Sequence, residues 1–193
     1  MPTAVDSLCG QAVDKKKDVA VVGLYCDFHS QQEQSTTNML GAMLKQLSSR
    51  GGISKHTRAA FRKAKTEFGG RGLQLSGMVE TLKKTITSLD RLFICIDAID
   101  ECTPKRRREL IEPLREIVRV SPGTRVFLTG RPHIEDEIAR CFAKALRIPL
   151  SPTHGDIKSY LEMRLDCDTD PNAMDDKLRA DIMRIVLEKI SEM

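Results

Sequence analysis

The 193-residue chain has no tryptophan and only 2 Tyr and 6 Phe. Aliphatic side chains must therefore fill its core, and no row of aromatics is available for the bases of a single strand to stack on. No apolar run approaches the ~20 residues needed to cross a bilayer, and Met1 is followed by no basic-then-apolar leader. These absences predict a cytoplasmic chain with no membrane partner. The six cysteines (Cys9, Cys26, Cys95, Cys102, Cys141 and Cys167) include no C-x-x-C pair, which argues against a zinc or thioredoxin-like site. Reduced thiols are the expectation, and a metal site of Cys102, Cys141 and His133 has no spacing to support it. A strong charge of one sign is also missing. The net charge is +4, from 31 Lys+Arg and 27 Asp+Glu, a weak argument for nucleic acid. Two basic clusters, at 55–65 and at 105–108, read as solvated helix faces. For the second, an acidic surface on a protein partner is the sharper alternative.

Strand and helix signals alternate along the chain. Residues 19–28 are a β-branched apolar run of strand length. Met39, Leu40, Met43, Leu44 and Leu47 make one helical stripe over 36–48. A basic helix is expected over 55–67, and Ser76 is placed to cap another over 77–89. Residues 92–96 are continuously apolar and end in acid at Asp97. Such a run marks a buried strand of a parallel sheet rather than a half-exposed one. Thr103 and Pro104 suit the cap and first position of a helix reaching about Val120, which Pro113 should kink or interrupt. Strands are expected at 125–130 and 145–150, and helices over 134–142, 156–166 and 175–192.

This order predicts an α/β three-layer sandwich with a mainly parallel sheet and right-handed crossovers. A core over 1–150 would be followed by a helical extension over 151–193. Ligands of such folds sit outside the carboxyl ends of the strands, so the residues just after each strand are the candidates. They are Asp27, then Asp97, Asp100 and Glu101, then Thr129 and Arg131. One carboxylate to hold a divalent metal and another to orient water is the arrangement of a nucleotide hydrolase. An arginine on the neighbouring strand can neutralise the cluster or sense a γ-phosphate. Asp97 alone would also suit a receiver-like phosphoacceptor, although the strand-end lysine of that class is missing.

The motifs FICIDAIDEC (93–102) and VFLTGRP (126–132), with VVGLYCDF and MLGAMLKQL upstream, resemble the NACHT-type signalling NTPase domain of fungal receptor-like proteins. That domain is similar to the nephrocystin-3-like N-terminal domain. The resemblance implies a P-loop NTPase fold with strand order 5-1-4-3-2 and a signal-transduction role. It also implies Mg-ATP or Mg-GTP as cofactor in the intact family, and self-association or NACHT-containing proteins as partners, between an effector domain and C-terminal repeats. By the same resemblance Asp97 matches the Walker B metal ligand, Asp100 and Glu101 the catalytic acidic pair, and Thr129 and Arg131 the nucleotide-sensing strand end. Gly130 stands where the family commonly has Ser.

The phosphate-binding loop is missing. No glycine of the 193 residues begins or completes G-x-x-x-x-G-K-[ST], the segment whose backbone N–H groups and lysine cradle the phosphates. Residues 3–13 resemble the helix that this loop opens. The expectation is a fragment or diverged form that is not catalytically competent alone and binds no nucleotide tightly, or else a non-catalytic scaffold that associates with intact NACHT proteins.

Overall fold

The structure, a computed structural model, describes residues 18–67, 72–167 and 175–191. The helix expected over 3–13, Cys9 and most of the glycine-rich loop at 69–72 lie outside the described residues. Three strands, β1 (Val19–Tyr25), β2 (Arg91–Asp97) and β3 (Thr124–Leu128), form one parallel sheet in the order β1-β2-β3. The helices are α1 (Thr36–Gly51), α2 (Lys55–Glu67), α3 (Leu75–Ile86), α4 (Pro104–Val120), α5 (Glu135–Cys141), α6 (His154–Asp166) and α7 (Asp176–Ser191). This is the expected α/β sandwich with a parallel sheet. Residues up to Ala145 form one compact unit and those from Leu146 another.

Period-two alternation sends Ala20, Val22 and Leu24 of β1 and Leu92, Ile94 and Ile96 of β2 to one face of the sheet. There they join the stripes of α1 (Leu40, Met43), α3 (Leu82, Ile86) and α4 (Leu110, Leu114, Ile117), all essentially solvent-free. At about 1.5–3 kcal/mol per buried aliphatic side chain, this cluster is the main source of stability. On the opposite face Cys95 is buried, and the rings of Phe93 and Phe127 lie 6.4 Å apart.

Local signals set most boundaries. Thr103 caps α4 by accepting the Arg106 N–H, with Pro104 in the first turn. The expected break at Pro113 does not occur, since α4 runs unbroken to Val120 with Pro113 buried inside it. The aliphatic residues on either side of the ring, Leu110, Ile111, Leu114 and Ile117, anchor both halves and offset the roughly 3 kcal/mol an interior proline costs. Ser76 is not the cap of α3. The helix begins at Leu75 behind Gln74, whose side chain makes no capping bond. Packing Leu73 and Leu75 against the core outweighs a cap worth about 1 kcal/mol.

The strand expected at 145–150 does not form. Leu146, Ile148 and Leu150 are 87%, 68% and 84% exposed and belong to no ladder. With no neighbouring strand to pair with among the described residues, their backbone groups gain more from water than from extended order. In the second unit Thr153 and Asp156 form a reciprocal capping box at the start of α6, and α6 packs on α7.

Candidate functional site

The parallel register places Tyr25 beside Asp97 and Ile96 beside Leu128, so all three strands end at the same level. The Cys26 N–H donates to the Asp97 carbonyl at 3.0 Å and the Thr129 N–H to the Ile96 carbonyl at 3.0 Å. These bonds extend both ladders to the mouth of the sheet. Asp97, Asp100, Glu101, Thr129 and Arg131 therefore gather at one end, as parallel-sheet topology requires.

Each takes a distinct place. The Thr129 hydroxyl donates to Asp97 Oδ1 and accepts the Ala98 N–H at 2.9 Å. One oxygen of Asp97 is thus engaged, and β2 and β3 are clipped together beyond their last rung. Asp100 Oδ2 lies 3.6 Å from Arg131 Nε; the carboxylate side chain is only 5% exposed while the arginine is 74% exposed. Glu101 turns toward the exit of β1, where Oε2 accepts the Phe28 N–H at 2.9 Å and its carbonyl accepts from Gln31 Nε2 at 2.9 Å. Asp27 caps the turn at Phe28–Ser30. The Ser30 hydroxyl and the His29 N–H hold its carboxyl below the usual range.

Ala98, between Asp97 and the turn Ile99–Glu101, has φ 52° and ψ 45°. It is the one non-glycine residue with positive φ among those described. Left-handed backbone costs an L-residue about 1–2 kcal/mol, and such strain concentrates where a loop must present particular groups. It is held here by the Thr129 hydroxyl on the Ala98 N–H and by the Ile99 N–H on the Thr129 carbonyl at 2.9 Å. Ala98→Gly should raise stability by about 0.5–1 kcal/mol, read as a higher thermal midpoint. A lower midpoint would show that the conformation carries no strain.

Sequence reasoning overlooked the residue that organises the floor of the site. Arg107, read as part of a basic surface cluster, is buried. Its Nε and Nη2 donate to Glu137 Oε2 at 2.9 and 2.8 Å, and its Nη1 donates to the carbonyls of Cys102 at 3.1 Å and Asp100 at 3.4 Å. It is unavailable to a partner's acidic surface. The signal was present, since Arg107 precedes Leu110, Ile111 and Leu114 at i+3, i+4 and i+7 on the stripe facing the core.

Beneath the site the Cys26 and Cys102 sulfurs lie 3.3 Å apart, both residues buried. Their mutual hydrogen bond, with the Arg107 and Arg106 guanidiniums nearby, draws the Cys102 thiol below its usual range. The same bond, burial and the carboxylates of Asp97 and Glu101 push Cys26 up. Among the described residues no three His, Cys, Asp or Glu side chains are grouped to hold a metal. The trio Cys102, Cys141 and His133 is therefore not assembled. No described helix is long and apolar enough to cross a membrane.

The nephrocystin 3 N-terminal family matches residues 2–131, which contain the whole sheet and every residue of the strand-end cluster. The chain belongs to this family. No curated protein sequence matches it. Among solved structures, the family fold seen here is similar to the ORC1 protein of Aeropyrum pernix, determined in complex with DNA. The TM-score is 0.58 at 17% identity, over 97% of this chain and 44% of that one. The chain thus spans less than half the length of that protein. A Walker-type ATPase of Pyrococcus abyssi aligns at TM-score 0.40 and 10% identity, over 95% of this chain and 61% of its own.

Proposed function

We propose that the chain is a NACHT-like regulatory NTPase module that keeps the acidic and sensor sides of its nucleotide site and lacks the side that grips phosphate. The observation that carries this reading is the convergence of Asp97, Asp100, Thr129 and Arg131 at one end of the sheet, in a sequence without G-x-x-x-x-G-K-[ST]. In this reading Asp97 is the metal-side carboxylate, Asp100 and Glu101 are the acidic pair, and Thr129 and Arg131 face the nucleotide.

The residues present do not fit a tightly held Mg-nucleotide. Mg²⁺ is usually bound through one or two carboxylates together with the substrate's own phosphates. Asp97 offers a carboxylate with one oxygen already on Thr129, and among the described residues no run of backbone donors with a lysine stands ready for the phosphates. Glu101 is committed to the Phe28 N–H, which favours a second reading, a non-catalytic scaffold that associates with intact NACHT proteins.

The two readings separate when the grip is supplied. A strand and a G-x-x-x-x-G-K-T loop fused ahead of residue 3 should confer micromolar binding of Mg-ATP or Mg-GTP and measurable hydrolysis. Asp97→Asn in the fusion should lower that hydrolysis about 100-fold. Hydrolysis indifferent to Asp97 would refute the assignment, and binding without hydrolysis would favour the scaffold.

A further inference from the structure

A groove of about 700 Å³ runs along α1 and α2, away from the strand-end residues. Both helices rest on α3 rather than against each other. α1 approaches α3 through Gly41, where an added Cβ would lie 3.6 Å from Met78 Cε. α2 approaches through its buried Thr57 and Ala64. Between them Ile53 and Phe61 present apolar surface, 56% and 42% exposed, above a floor at which Leu44 is buried. The size falls within the ~300–1,000 Å³ of ordinary ligand sites, and exposing large side chains to water costs stability unless something covers them.

The rim decides what does. Lys45 stands on the α1 wall and Arg58, Arg62 and Lys65 on the α2 wall; among the described residues no acidic side chain lines the groove and none of the four has an ion-pair partner. The α2 cations follow i, i+4, i+7 spacing, a row about 10 Å long at 1.5 Å per residue. A single-headed amphiphile would satisfy one end of that row and leave the rest unpaired. A helix with an apolar stripe flanked by acidic residues at the same spacing meets every cation, lays its stripe on Ile53 and Phe61, and keeps its polar back in water. We infer that this groove is a docking site for an acidic amphipathic helix of a partner protein. The basic cluster at 55–65 is then one wall of a binding surface rather than a merely solvated face, and this holds whether or not the strand-end site ever meets nucleotide.

The test uses a fluorescein-labelled 16-residue peptide with leucines at i, i+3, i+4, i+7 spacing flanked by glutamates, titrated with the full chain and read by anisotropy. Three further probes are a scrambled peptide of the same composition, a peptide with lysine for glutamate, and oleate as competitor. The glutamate peptide should bind in the micromolar range and weaken with added salt. Arg58→Glu with Arg62→Glu should weaken it at least about tenfold and strengthen the lysine peptide. Lys45→Glu, on the other wall, should act in the same direction, so the result does not rest on one helix staying folded. Equal binding of the scrambled peptide, indifference to both charge reversals, or displacement by oleate at stoichiometric concentration would overturn the inference. So would a dimer of the chain that Arg58→Glu with Arg62→Glu dissociates, which would make the occupant a second copy.

Discussion

Replacing Arg107 with alanine should destabilise the protein by about 3 kcal/mol, the lower end of what breaking a buried ion pair costs. The lower end applies because the Glu137 side chain remains 22% exposed and recovers some hydration, whereas the Arg107 side chain is 6% exposed. Part of the loss belongs to the carbonyls of Asp100 and Cys102, which lose their donor, and buried acceptors without partners are costly. A urea melt reads the change as a lower midpoint at constant slope. Replacing both partners, Arg107→Met with Glu137→Leu, should restore part of the stability, because no uncompensated charge is then left. The part not restored measures what the two loop carbonyls require. A change below about 0.5 kcal/mol for Arg107→Ala, typical of a surface residue, would mean the guanidinium does not hold the loop.

Gly123→Ala should cost about 3 kcal/mol, toward the upper range for forced overpacking. An added Cβ would lie 2.4 Å from the backbone carbonyl oxygen of Asp90. That carbonyl cannot swing aside as a side chain would, because the next peptide enters β2. Relief would pull Gly123 away from Leu92, whose N–H donates to the Gly123 carbonyl at 3.2 Å, and would open the first rung between β2 and β3. Gly72→Ala is the matched control, with nothing within 4 Å of the added methyl, and should leave the urea midpoint unchanged. Equal midpoints for both variants would show that the turn relaxes at no cost.

The fold was legible where burial and periodicity agree. The continuous run from Leu92 to Ile96, the stripe of α1 and the Thr103-Pro104 start of α4 depend on a few neighbours each, and each formed where expected. The strand at 145–150 depended on a neighbour that the described residues do not include, so its own apolar character could not order it. Pro113 does not interrupt α4 for the opposite reason: its local cost is real, but packing on both sides of it exceeds that cost. Within the site, the sequence located the carboxylates and Arg131 because residues after parallel strands share one end by topology alone. It could not reveal that Glu101 caps the turn after β1, that Thr129 spans Asp97 and Ala98, or that Glu137 is the partner of Arg107. Those contacts join residues 30 to 73 positions apart, and short-range patterning carries no record of them.

Isothermal titration of the 193-residue chain with Mg-ATP and with Mg-GTP tests most directly whether acids built for a triphosphate stand here without the loop that binds it. The account predicts heats no larger than dilution, corresponding to a dissociation constant no tighter than about 1 mM, or roughly 4 kcal/mol of binding. A saturable isotherm with a micromolar constant would contradict it.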